Sequence, residues 1–185
     1  MSASPRLYLT GASCAGVSTL GAGLAARLGV PHLDADAFFW RPTDPPFAEQ
    51  RPVADRLRLI REAQGEGGWV LSGALETWGE AVIEAAGLIV FVTTPAPLRM
   101  ERLDRRERAR HGARILPGGD MHATHLAFRD WASRYDDPAF AGRSRARHEA
   151  WLAARPTPAL RLDGARPLAE LVDAVIDALG RTGTR

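Results

Sequence analysis

Residues 6–20, Arg-Leu-Tyr-Leu-Thr-Gly-Ala-Ser-Cys-Ala-Gly-Val-Ser-Thr-Leu, constrain the fold more than any other stretch. Leu7, Tyr8 and Leu9 read as a short buried strand, and Leu20 to Leu28 as an apolar, Ala-rich helix. Between them Gly11 to Ser18 fits the pattern G-x-x-x-x-G-x-[ST]. Strand, glycine loop and helix in that order are the setting in which such a pattern cradles phosphate. Gly11 and Gly16 let the backbone turn so that the N–H groups of Ala12, Ser13, Cys14, Ala15, Gly16 and Val17 face one anion. The helix N-terminus behind them adds roughly half a positive charge. Ser18 stands where a hydroxyl would ligand a magnesium ion, and Thr19 is a neighbouring phosphate donor.

One position departs from the pattern. The lysine that should follow Gly16 is Val17, which carries neither donor nor charge. Losing one charge-assisted hydrogen bond costs about 1.5–3 kcal/mol, which weakens such a site without abolishing it. The 24 basic residues are all arginine, so a replacement cation must be a guanidinium or a second metal ion. The structural alternative is a glycine turn that binds nothing.

At 185 residues the chain suits a single domain with a sizeable core. Its formal charge is only +2 despite a pI near 9.3, and acids and bases are interleaved, so no basic patch calls for nucleic acid. No apolar run has the length of a membrane span, and the N-terminus enters the first strand without a charged-then-apolar signal segment. With a single cysteine, which rules out an internal disulfide, the expectation is a cytoplasmic protein. That cysteine, Cys14, lies near a helix N-terminus, where a thiol pKa tends to fall; it reads as a small residue lining the loop, with oxidation sensitivity as the alternative.

After a break at Gly29, Val30 to Leu33 read as the second strand, leading to Asp34 and Asp36. Period-two alternation places both carboxylates on one face while the chain stays extended. Beside a phosphate loop they could accept a hydroxyl proton or hold a metal and its waters; the alternative is a helix N-cap, which Asp36 could supply. The prolines of residues 41–50 make a loop, and Pro52 to Ala63 reads as an amphipathic helix. Val53, Leu57 and Ile60 mark its apolar side, while Arg51, Arg56, Arg58 and Arg61 read as a solvated face or as contacts to an anionic acceptor.

Trp69 to Leu71 read as the third strand, ending at Ser72 where phosphoryl-transfer folds often carry an aspartate; Glu76 is the nearby acid that could compensate. Leu88 to Val92 is an uninterrupted apolar run, as in a parallel sheet covered on both faces. The next helix carries Arg99, Arg102 and Arg106 on one face, either as the missing positive charge or as a solvated row balanced by Glu101, Asp104 and Glu107. Residues 111–121 read as a flexible loop with lid character, and His122 to Tyr135 as a helix in which His122 and His125 pack without metal. A helix from about Arg143 to Ala154 begins with Arg143, Arg145 and Arg147, an unfavourable charge for a helix start that a bound anion would explain. Ala159 to Leu162 is the fifth strand, and Leu168 to Leu179 the closing helix.

This order resembles the nucleoside-monophosphate kinase branch of the P-loop kinases. It is most similar to small adenylate-kinase-like and shikimate-kinase-like proteins, including the DNA topology modulation proteins. The matching stretches are Gly11–Thr19, His32–Asp36 with Trp40, Trp69–Gly73, Leu88–Pro95 with the arginines after it, and Leu162–Gly164. The resemblance implies a three-layer α/β fold: a five-stranded parallel sheet with helices on both faces, and ATP at the strand C-termini. It further implies one domain over residues 1–185, with an acceptor-binding insert near 40–64 and a lid-like region near 99–142.

Carried over by position, Gly11 to Thr19 would bind the phosphates, Ser18 and Asp34 magnesium, and Asp34 or Asp36 the acceptor hydroxyl. Arg102 and Arg106 would be transition-state cations, and Asp163-Gly164 would lie near the base. The expected function is an ATP- and Mg2+-dependent phosphotransferase acting on an unidentified small-molecule or nucleotide acceptor. The alternative is a catalytically impaired nucleotide-binding regulator of the same fold. A monomer is the default, with a dimer as the alternative.

Overall fold

The computed structural model describes residues 4–182. Five strands, β1 (Arg6–Gly11), β2 (His32–Asp34), β3 (Trp69–Ser72), β4 (Leu88–Thr93) and β5 (Ala159–Asp163), pair in parallel in the order β2-β3-β1-β4-β5. Eight α-helices accompany them among the described residues: α1 (Val17–Leu28), α2 (Ala35–Phe39), α3 (Val53–Gln64), α4 (Glu80–Ile83), α5 (Ala96–His111), α6 (His122–Ser133), α7 (Arg145–Ala153) and α8 (Leu168–Thr182).

The strands are apolar on both sides because both sides are covered. Leu7 and Leu9 of β1, with Val90 and Val92 of β4, pack against Leu20, Leu24 and Ala25 of α1 and Leu171 and Val175 of α8. The alternate residues Tyr8, Leu71, Ile89 and Phe91 face Ile60 of α3, Val82 and Ile83 of α4, and Leu152 of α7. Each fully buried Leu, Val, Ile or Phe among them contributes about 1.5–3 kcal/mol relative to exposure. The expected layers and five parallel strands are therefore present. The chain steps outward from β1 to β2, returns through β3 and crosses to β4, so the strand order reverses at β1. Crevices at the carboxyl ends of such sheets open at that reversal, and the glycine loop lies there.

Local differences from the sequence expectations have physical causes. The second strand begins at His32, not Val30, because Gly29 closes α1 in the left-handed region at φ 67° and the chain needs two further residues to rejoin the sheet. Asp34 and Asp36 do not share an extended face. The chain turns helical at Ala35, and Asp34 caps that turn by accepting from the Asp36 amide at 3.1 Å, taking the capping role expected of Asp36.

Residues 111–121 are not simply a loop: Gly112–Ile115 form a 3-10 helix, and Arg114 closes the segment on Asp120 at 2.6 Å. The sixth helix ends at Ser133, and a 3-10 turn over Arg134–Asp136 follows. The seventh begins at Arg145, since Ser144 caps it.

Candidate active site

The segment joining β1 to α1 is a tight backbone cradle. The Ala15 amide donates to the Ala12 carbonyl at 3.1 Å, and Cys14 and Gly16 both lie at positive φ, 60° and 101°. Gly16 tolerates that geometry freely; Cys14 carries it at a cost of order 1–3 kcal/mol, a strain that clusters at ligand sites. No side chain caps the N-terminus of α1, so the first-turn amides lack intrahelical acceptors, and Ser18 and Thr19 are exposed there. Val17 turns inward instead: it is buried, and its Cγ2 sits 3.1 Å from where a Cβ on Gly11 would stand.

The loop is gripped from behind. The Ala15 carbonyl accepts from Thr94 Oγ1 at 2.9 Å and from Arg102 Nη1 at 3.5 Å, while Arg102 Nη2 donates to the Gly164 carbonyl at 3.0 Å. A Cβ on Gly164 would collide with both Thr94 Oγ1 and the Ala15 carbonyl. Arg102 is thus engaged with the loop backbone and with the Asp163-Gly164 turn.

The other arginines of α5 divide. Arg99 is buried, donating to Asp136 Oδ2 at 2.5 Å and to the Thr94 carbonyl at 3.0 Å, with its guanidinium over the Tyr135 ring. Arg106 is half-buried, shares Glu107 Oε1 at 3.3 Å, and acts electrostatically on both Cys14 and Asp36. The expectation of a lowered Cys14 thiol pKa fails: burial pushes it up, and Arg106, Arg110 and Arg99 oppose this incompletely.

Arg143 was absent from the expected site residues. It arrives from the loop before α7 and donates through Nη2 to Ser13 Oγ at 2.6 Å, with its guanidinium 5.2 Å from the Trp131 ring centroid. Its Nε is buried and has no hydrogen-bond partner among the described residues. The signal available in the sequence was the arginine cluster at the start of α7.

The carboxylates separate by environment. Burial and the charge of Asp34 raise the Asp36 carboxyl above its ordinary range, against the pull of Arg143, Arg106 and Arg110. Asp34 has one oxygen committed to capping α2. Ser72, at the strand end, is 2.9 Å from His32 Nε2, whose pKa is lowered by burial against the opposing charge of Asp34. Glu76 folds back over β1, where Oε1 accepts from Tyr8 Oη at 3.0 Å and from Thr10 Oγ1. Burial pushes its carboxyl up, but His148 and the Thr10 hydroxyl outweigh that and leave it below the ordinary range.

In the insert, Arg56 is not on a solvated face: it is buried, 3.7 Å over the Phe39 ring and 5.2 Å from Trp78, and donates to the Arg51 carbonyl at 2.6 Å. Trp40 and Phe47 stand edge to face at 5.8 Å. His122 and His125 face different neighbours: His122 Nδ1 lies 2.8 Å from the Ile115 carbonyl, and His125 Nδ1 lies 4.0 Å from Glu107. Among the described residues no group of three or more His, Cys, Asp or Glu is arranged to hold a metal ion, and no helix is long and apolar enough to cross a membrane.

Comparison with known proteins agrees with this architecture. Shikimate kinase from Bacteroides thetaiotaomicron superposes with a TM-score of 0.57 at 18% identity, over 95% of this chain and 98% of that one. A gluconokinase from Sinorhizobium meliloti 1021 gives 0.54 at 19% identity, over 98% and 94%. A sugar kinase from Janibacter sp. HTCC2649 gives 0.55 at 18% identity, over 96% and 95%. At these identities the likeness establishes the fold alone, that of the P-loop kinases. No family model matches the chain. In sequence, the uncharacterized protein YqaC of Bacillus subtilis (strain 168) is 37% identical over 174 residues, spanning 94% of this chain and 96% of that protein. The chain belongs to the same family as YqaC.

Proposed function

We propose that the protein is an ATP-dependent phosphotransferase whose phosphate loop uses arginine where lysine is missing. The observation that carries this reading is Arg143: its guanidinium reaches Ser13 of the loop and keeps a buried Nε–H that has no partner among the described residues. A buried unpaired donor is costly, and an incoming phosphate oxygen would satisfy it. Arg106 is the second cation facing the loop, and Arg102 supports the loop backbone rather than the ligand.

The exposed hydroxyl of Ser18 on the first turn of α1, with one oxygen of Asp34 free of the capping bond, fits magnesium held jointly with phosphates. That ion would neutralise phosphate charge. The chain's own residues do the rest. The backbone amides orient the phosphates. Asp36, with its carboxyl raised by burial, is the better of the two aspartates to accept an acceptor hydroxyl's proton. Arg143 and Arg106 offset charge spreading over the transferred group. The acceptor would enter beside Trp40 and Phe47 of the insert, and residues 99–142 would act as the lid.

A second reading, a nucleotide-binding regulator without transfer, is favoured by one observation. The hydroxyl at the end of β3, where an aspartate would stand, is engaged with His32. Calorimetric titration with ATP and ADP, with and without magnesium, followed by an acceptor screen for labelled phosphate, separates the two. Magnesium-sensitive micromolar binding with transfer supports the enzyme; binding without transfer to any acceptor supports the regulator. No binding at millimolar nucleotide removes both.

A further inference from the structure

A buried polar chain behind the phosphate loop has no part in the chemistry above. Tyr135 Oη and His148 Nδ1 are 2.7 Å apart, and His148 Nε2 lies 3.2 Å from Glu76 Oε1. The same oxygen takes the hydroxyls of Tyr8 and Thr10. Tyr8 and Thr10 are 0% exposed, His148 2% and Tyr135 4%. Stability does not require such an arrangement: apolar residues of similar volume would serve as well, whereas polar groups joined inside a core specify position.

The two ends of the chain show what is positioned. One end is Thr10, the residue before Gly11. The other is Tyr135, adjacent to Asp136, which is bound by Arg99 Nη2 at 2.5 Å and by Arg145 Nε at 2.8 Å. His148 belongs to α7, whose cap is Ser144. The segment 137–144 that carries Arg143 is therefore anchored at both ends, by Tyr135 and Asp136 before it and by α7 after it. His148 joins both anchors to the strand that feeds the phosphate loop, and its ring is wedged edge-on against Phe91 of β4 at 5.5 Å.

We infer that Glu76, His148 and Tyr135 are positioning residues that hold Arg143 in register with the phosphate loop. The inference rests on the reading of Arg143 as a phosphate-binding cation. His148 Nε2 lies at ion-pair distance from the Glu76 carboxylate without the alignment of a hydrogen bond, and the Tyr135 hydroxyl donates to a neutral Nδ1 or accepts from Nδ1–H.

A double-mutant cycle tests it. Tyr135→Phe removes one oxygen and leaves the ring in place; it should weaken ATP binding about tenfold in the otherwise intact protein and leave it unchanged in an Arg143→Ala background. His148→Leu should show the same non-additivity, with thermal melts verifying that it folds. An equal loss in both backgrounds, or no loss from Tyr135→Phe, overturns the inference. Should the unsubstituted protein bind no nucleotide, the functional reading fails and the positioning claim has its own readout. The Arg143 Nε–H resonance, assigned by its disappearance in Arg143→Ala, should be protected from solvent exchange and lose that protection in Tyr135→Phe. Protection unchanged by Tyr135→Phe would overturn the claim.

Discussion

The guanidinium of Arg143 donates to the hydroxyl of Ser13 at 2.6 Å, across 130 residues of chain, and so brings a cation to a glycine loop that has none of its own. An arginine serves this place differently from a lysine: its planar guanidinium lies over Trp131 and has edges that can bind two phosphate oxygens.

Restoring the lysine should therefore make Arg143 redundant. Arg143→Ala alone is expected to weaken ATP binding by roughly one to two decades, the worth of a charge-assisted bond. Adding Val17→Lys should recover most of that loss, since the long stem can cover the apolar contact that Val17 makes while its head reaches out. Calorimetry on the single and double variants checks this; a Val17→Lys protein that folds but recovers nothing would mean that position 17 is turned away from the ligand.

The raised Asp36 carboxyl implies a conflict between stability and chemistry. A group whose folded pKa lies above its unfolded value binds more protons when folded, so its contribution to stability declines as pH rises through that window. Asp36→Asn should raise the denaturant midpoint at pH 7 and, at the same time, lower phosphate transfer by at least about a hundredfold. A variant that loses stability at pH 7 would contradict the environment described for Asp36.

Glu76 and His32 should set the acid limb of stability. Glu76 is depressed in the folded protein, so its contribution is present above its ordinary value of 4.5 and is lost as pH falls through the lower folded value. His32 is held below 6.5, so the unfolded chain takes up its proton first and stability begins to decline as pH drops below that value. Urea unfolding from pH 8 to pH 3 should show two declines, the upper abolished by His32→Gln and the lower reduced by Glu76→Gln.

Gly164 should tolerate no side chain. A methyl group there meets the Thr94 hydroxyl and the Ala15 carbonyl, so Gly164→Ala should cost about 1–3 kcal/mol by overpacking. The same change would displace the loop, so nucleotide affinity and thermal midpoint should fall together in the one variant.

The sheet and the loop were legible in the sequence because their causes are local. A parallel strand buried on both faces reads as an apolar run, as Leu88 to Val92 does, and a glycine turn between strand and helix announces itself. The turn at Asp34 was not, because an aspartate that ends a strand and one that caps a helix look alike until the chain bends. Arg56 read as part of a polar face; its burial depends on Phe39 and Trp78, which only tertiary packing brings together. Arg143 stood in view within a charge cluster, yet its destination depends on a buried histidine and tyrosine that no spacing rule connects to Ser13.

The grip on the Ala15 carbonyl has a kinetic meaning. With Thr94 and Arg102 fixing that peptide and Gly164 packed beneath it, the cradle is shaped when the chain folds, and on the proposed function an arriving phosphate would meet a loop already formed. The ordering entropy has been spent before encounter, so association should run at the rate set by diffusion and charge, and differences in nucleotide affinity among loop variants should be written almost wholly in how long the complex survives.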